Sequence, residues 1–154
     1  MTKPADELKP FLLLAEVAAE KGAEHDWRHY FQLARGMAAY RTGDWAGTLD
    51  WCGRSRELSG GTASMAAADF LFEAMAHQQM NHADQARAAM GEATRLIDEY
   101  LAEAQEDRGD QWSDWLICEI VRREAEELLK QGSGAGGQKP ESTEKRPLGI
   151  PLAG

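Results

Sequence analysis
Cysteine is scarce in this sequence: two in 154 residues, Cys52 and Cys118, far apart and each inside a helical pattern. They offer no disulfide framework, and the reading for both is a buried free thiol in a reducing compartment. Positive charge is also short, with 17 Lys and Arg against 26 Asp and Glu and a net charge of −9. Nucleic-acid binding draws most of its affinity from clustered Lys and Arg, and only Arg122-Arg123 and Lys145-Arg146 are dense here, so no nucleic-acid partner is expected. Long apolar runs are missing as well. Phe11-Leu12-Leu13-Leu14-Ala15 meets Glu16 at once, too short for a membrane span and too interrupted for a signal-peptide core. The expectation is a cytoplasmic chain with no membrane partner.

Catalytic signatures are absent in the same way. No Gly-rich phosphate loop precedes a helix, no His-Arg-Asp loop occurs, and Asp69-Phe70 is followed by Leu71 where a metal-binding loop would need Gly. The glycines from Gly132 to Gly137 lead into Pro140, not into a helix start that could hold phosphate, and read as linker. Glu73 and His77 share a helix face at i and i+4, and His82 follows. His25 and His29 belong to an earlier hairpin, so a metal site lacks ligands. Neither enzymatic activity nor a cofactor nor a metal is expected.

What is present is helix. The chain is 43% hydrophobic, enough for one globular domain with a real core. Residues 1–7 form a polar lead-in. A first helix, from Leu8 or Phe11 to Lys21, is expected to bury Leu13, Leu14, Val17 and Ala18. Asp26 is placed to cap the second, Trp27 to Thr42, with Trp27, Tyr30, Phe31, Ala34, Met37 and Ala38 at helical spacing.

The turn Arg41-Thr42-Gly43-Asp44 follows. There Gly43 can take the left-handed conformation, and Asp44 can cap the third helix, Trp45 to Leu58. Gly36 and Thr48 are small where these two helices must touch. After Ser59-Gly60-Gly61, Thr62 or Ser64 can cap a fourth helix ending near Asn81, which tolerates the left-handed position almost as Gly does.

The fifth helix, Ala83 to Glu106, carries the cleanest stripe: Ala86, Ala89, Met90, Ala93, Leu96, Ile97, Tyr100, Leu101 and Ala104. Burying each large member contributes about 1.5–3 kcal/mol, so the stripe must face a core. The last helix, Trp112 to Lys130, is expected to bury Ile117, Ile120, Val121, Ala125 and Leu128. Beyond it, residues 131–154 are rich in Gly, Ser, Lys, Pro and Glu, and are expected to be disordered. Trp45 reads as core, while Trp112 and Trp115 are placed to close the end of the array or to anchor a partner.

The chain repeats itself at an offset of 38 residues. Gly36 falls on Ala74, Met37 on Met75, Gly43 on Asn81, Thr48 on Ala86 and Ser55 on Ala93. Repeats of this size imply stacked helical hairpins, each burying its neighbour's exposed face. Leu33-Ala34-Arg35-Gly36 through Tyr40-Arg41-Thr42-Gly43-Asp44-Trp45 resembles the first helix and turn of a tetratricopeptide repeat, and Ala74, Ala86 and Ala93 fit the small residues of a second. Thr48 and Ser55 depart from the usual alanines, the proline that often closes a repeat is missing, and Ser59-Gly60-Gly61-Thr62 lengthens the unit beyond about 34 residues.

Together with the closing helix around Trp112 and Trp115, the pattern is similar to C-terminal repeat regions of large bacterial multidomain proteins, often serine/threonine protein kinases or beta-propeller proteins. The resemblance implies an all-α solenoid: a half-repeat over 8–22, repeats over 29–60 and 67–98, and a capping helix over 112–130.

It also implies a site. First helices of successive tetratricopeptide hairpins line a concave groove, which here would present Tyr30, Leu33, Met37, Tyr40 and Arg41, then Leu71, Met75, Gln78 and Gln79. This lining suits an adaptable apolar segment or helix of a protein or peptide partner. Lys and Asn residues by which some family members grip a terminal carboxylate are not at these positions, so no preference for an acidic C-terminal peptide follows. Met37 and Leu71 fit the core as well as the groove. The alternative to a non-catalytic binding module is a structural spacer, or a vestigial kinase fragment without activity of its own. The pattern gives no oligomeric state.

Overall fold
The computed structural model describes residues 5–58, 62–103 and 112–134, and among them every regular element is an α-helix. There are six: α1 Ala5–Lys21, α2 Arg28–Thr42, α3 Trp45–Leu58, α4 Ala63–Gln79, α5 Ala83–Glu103 and α6 Trp112–Gly134. Helices α2 and α3 form one antiparallel hairpin, α4 and α5 a second, and the hairpins stack through α3 and α4. Helix α1 begins at Ala5, inside the expected lead-in 1–7, and α6 continues to Gly134, four residues into the expected tail 131–154, while residues 1–4 and 135–154 lie outside the described residues.

The two hairpin turns have the same chemistry. Gly43 is left-handed at φ 83°, its N–H donating to Tyr40 O at 3.1 Å, while Asp44 N donates to Ala39 O at 2.9 Å. This pair of bonds satisfies the last carbonyls of α2. Asp44 then starts α3, its Oδ1 accepting from Gly47 N at 2.9 Å. Thirty-eight residues later Asn81 stands at φ 60°, Asn81 N donates to Gln78 O at 3.1 Å, and His82 N donates to His77 O at 2.9 Å. The offset seen in the sequence thus recurs bond for bond in the backbone, as a helical repeat requires.

Small residues set the approach of the helices. Gly36 is buried where a Cβ would stand 2.7 Å from Cys52 Sγ, so α2 meets α3 at this point. Thr48, Ser55, Ala74, Ala86 and Ala93 are all fully buried. Ser55 Oγ donates to His29 O at 3.2 Å, and Thr48 Oγ1 to Asp44 O at 2.9 Å, which accounts for hydroxyls where alanine would serve for packing alone. Gly36→Val should cost about 1–3 kcal/mol by forcing α2 and α3 apart, measurable as a lower urea midpoint with unchanged m-value.

Several expected details differ. Asp26 is not the cap of α2: the helix starts at Arg28, and Trp27 N donates instead to His25 Nδ1 at 3.1 Å. Trp27 is 63% exposed. On α1 the inward residues are Ala15 and Ala19, while Leu13, Leu14 and Val17 face out. Arg35 holds α1 against α2 by reaching Leu12 O at 3.5 Å and Glu16 at 2.6 Å, and that fixes the helix rotation in favour of its small residues. On α6 the buried residues are Trp115, Cys118, Val121 and Ala125, with Ile117 and Ile120 exposed. On α5 the stripe is inward up to Tyr100, Leu101 is exposed, and Ala104 lies outside the described residues.

Candidate functional site
The placement of α6 decides which surfaces remain open. Near its start Cys118 Sγ donates to Ser64 O at 3.2 Å, and near its end Gly132 lies against the Gln78 amide. Since Ser64 begins α4 and Gln78 ends it, α6 runs parallel to α4 along its whole length. The start of α6 is fixed on α5: Trp115 stacks on Tyr100 with ring centroids 4.3 Å apart and planes 9° apart, and Arg122 pairs with Asp98 at 3.1 Å. The opposite edge of α6 reaches α2 through Arg41, which makes a bidentate pair with Glu124. Apart from that bridge, α2 and α6 do not meet.

The groove expected from the sequence is therefore divided. Leu71 and Met75 are core residues, fully buried in the cluster that also holds Trp115, Cys118, Val121 and Ala125 of α6. Tyr40 is buried too. Its ring packs edge-on against Phe72 at 5.6 Å, and its hydroxyl, pushed to a higher pKa by burial, is hydrogen-bonded by Gln79. Leu33 packs half-buried against the same cluster, and Gln78 is covered in part by the end of α6. Tyr30 lies apart at the start of α2, beside His29 and Trp27.

Of the nine expected residues, Met37 and Arg41 line an open apolar feature. It is a groove of about 570 Å³ between α1 and α2, with Phe11, Leu14, Ala34 and Ala38 among its walls. The α1 side is absent from the expected groove because Leu14 is expected to face the core, whereas it is exposed. The signal was available, since α1 carries apolar residues on two faces.

The repeat explains why the groove exists. Met37 and Ala38 on α2 correspond, at the 38-residue offset, to Met75 and Ala76 on α4. The α4 pair is fully buried, and the α2 pair is partly open toward α1. The groove is the stretch of this repeated face that the described helices leave uncovered.

No protein-family model, curated protein or solved structure matches the chain.

A second arrangement lies between α3 and α4. Asp69 is fully buried on α4, and neither carboxylate oxygen has a hydrogen-bond partner among the described residues. Burial raises its pKa to about 7, against partial relief from Ser55, Arg56 and Cys52 nearby. Ser55 Oγ donates its hydrogen bond to His29 O, which leaves the carboxylate without it. Arg56 is committed to Glu73 at 2.5 Å. Burial also raises both thiols, Cys118 to about 12, which keeps them neutral and unreactive.

The histidines make no common site. His77 and His82 approach at 3.4 Å between their Nδ1 atoms, Glu73 is held by Arg56, and among the described residues no three His, Cys, Asp or Glu side chains could share a metal. No described helix is long and apolar enough to cross a membrane. Trp45 packs against the core beside Tyr40 at 5.2 Å, Trp51 lies between the guanidinium groups of Arg35 and Arg54, and Trp112 is 56% exposed.

Proposed function
We propose that this chain is a non-catalytic tetratricopeptide-like module that binds an apolar segment or helix of a protein partner, and that the binding face is the α1–α2 groove. The observation that supports the reading is the open apolar groove itself, in which Met37 is only partly covered while its repeat counterpart Met75 is fully buried. Docked α6 illustrates the mode of recognition: an amphipathic segment presents small and apolar side chains to a first helix, and an arginine on the neighbouring first helix fixes its register. Met37 gives the groove floor an adaptable, polarizable surface, and Phe11 gives it a large aromatic wall. The groove is short, so affinity from this module alone is modest and grows when it is joined to other binding elements.

The test is a photoreactive diazirine amino acid placed at Ala34, on the exposed lip of the groove, with a control placed at Arg87 on α5. In the cells that make the protein, Ala34 should give an intermolecular adduct to one identifiable protein, and Phe11→Asp with Met37→Asp should remove it. Equal adducts from Arg87, or adducts indifferent to the double substitution, would put the binding face elsewhere.

A further inference from the structure
We infer that the groove has an occupant within the chain itself: the segment Leu148-Gly149-Ile150-Pro151-Leu152, which folds back between α1 and α2 as an internal competitor for the partner. The inference rests on the groove being the binding face, and it concerns what fills that face when no partner does.

Three observations select this segment. The first is its pattern. In a tail otherwise made of Gly, Ser, Lys, Glu and other polar residues, Leu148, Ile150 and Leu152 alternate with Gly149 and Pro151. Proline disfavours helix at the residue before it, so the sequence Ile150-Pro151 favours an extended backbone for this segment. In an extended chain, alternate residues project to the same side, so the three apolar side chains form one row. A row of that kind can lie along an apolar groove, whereas in water it is exposed without benefit.

The second observation is where the described chain leaves off. Helix α6 ends at Gly134, with Gly132 against Gln78, and the adjacent Gln79 bonds to Tyr40 next to Arg41. Arg41 and Thr42 form one end of the groove together with Leu8, because α1 and α2 run antiparallel. The last described residues of α6 therefore lie on the same end of the bundle as the Arg41 end of the groove. Residues 135–147 separate Gly134 from Leu148. A linker of that length and composition has a root-mean-square span of about 20 Å, which places the apolar row within reach at an effective concentration on the order of millimolar.

The third is charge. Lys145 and Arg146 immediately precede the apolar row, and the chain as a whole is strongly acidic at −9. Arg41, the charged residue that lines the groove, is paired with Glu124, so its charge does not repel the basic pair. A groove with a tethered occupant of this kind binds an outside partner only when the partner's affinity exceeds that of the tail at its effective concentration.

The purified full-length protein tests this with the same diazirine at Ala34. Irradiation should give an intramolecular adduct to residues 148–152, located by mass spectrometry of the digested monomer. Ile150→Asp with Leu152→Asp should reduce that adduct at least tenfold at unchanged helical circular dichroism. A peptide of residues 145–154 added to this variant should cross-link in its place. No adduct, an adduct elsewhere on the chain, or an adduct that survives the double substitution overturns the inference. The two proposals separate cleanly. If the intermolecular adduct in cells persists without any intramolecular one in the purified protein, partner binding stands and the internal occupant falls. An intramolecular adduct with no intermolecular one leaves the occupant and removes the partner.

Discussion

Asp69→Asn should gain stability over the parent by about 3 kcal/mol more at pH 8 than at pH 5. Asp69 is fully buried on α4, with no partner for either oxygen among the described residues, and burial lifts its pKa to about 7. Its carboxyl in the unfolded chain titrates near 4. Because the folded value is the higher one, the folded state holds the proton more tightly, and the favourable contribution is complete only below pH 4. It is lost as pH rises through 7, where the folded protein must bury a charge. Asparagine keeps the shape and removes the titration.

Other groups titrate over the same range but are common to both proteins. Glu73, raised by burial against the opposing pull of Arg56, acts in the same direction as Asp69. His77, lowered by burial and by His82, acts in the opposite one. Urea unfolding of both proteins at pH 5, 6, 7 and 8 isolates the difference. Parallel stability curves would mean that Asp69 is ionised and satisfied at every pH, by a buried water or another group.

What the sequence made legible was local. The left-handed turns at Gly43 and Asn81 and the capping of α3 by Asp44 depend on residues within a few positions of one another, and each stands where the pattern placed it. The 38-residue echo was legible for the same reason, since it is made of small residues and turns whose roles do not depend on distant parts of the chain. The rotations of α1 and α6 were not legible, because each carries apolar residues on two faces and periodicity ranks the faces by bulk. On α1 the structure chose Ala15 and Ala19 over Leu13 and Leu14, because the close approach to α2 fixed by Arg35 suits small side chains.

The candidate site suffered from a longer-range version of the same ambiguity. The tetratricopeptide resemblance places Leu71 and Met75 in the groove, with Leu71 fitting the core as well, and nothing local says that α6 lies along α4 and closes that face. Asp69 left a visible trace, an acid between Ala66-Ala67-Ala68 and Phe70-Leu71-Phe72, where a helix has no polar face to give it.

The two faces of α6 give the second large effect. Trp115→Ala should destabilise the protein by about 3–5 kcal/mol, the usual range for truncating a buried aromatic side chain. Trp115 is 7% exposed and lies flat on Tyr100, so its loss removes both the buried surface and the ring stack that fix the start of α6 on α5. Ile120→Ser, five residues on, should change stability by no more than about 0.5 kcal/mol, because Ile120 is 60% exposed and packs on nothing that must stay dry. Hydropathy alone predicts the reverse, placing Ile120 on the buried side of this helix.

Hydrogen exchange locates the effect as well as sizing it. In Trp115→Ala the amides of α6 and of the α4 face beneath it should exchange faster, while those of the α2–α3 hairpin, joined through Gly36 and Cys52, keep their protection. Uniform acceleration across all six helices would mean that α6 and the two hairpins unfold as one unit. The face of Leu71 and Met75 would then be closed to any partner short of global unfolding, and the α1–α2 groove would remain as an apolar first-helix surface open to binding in the folded protein.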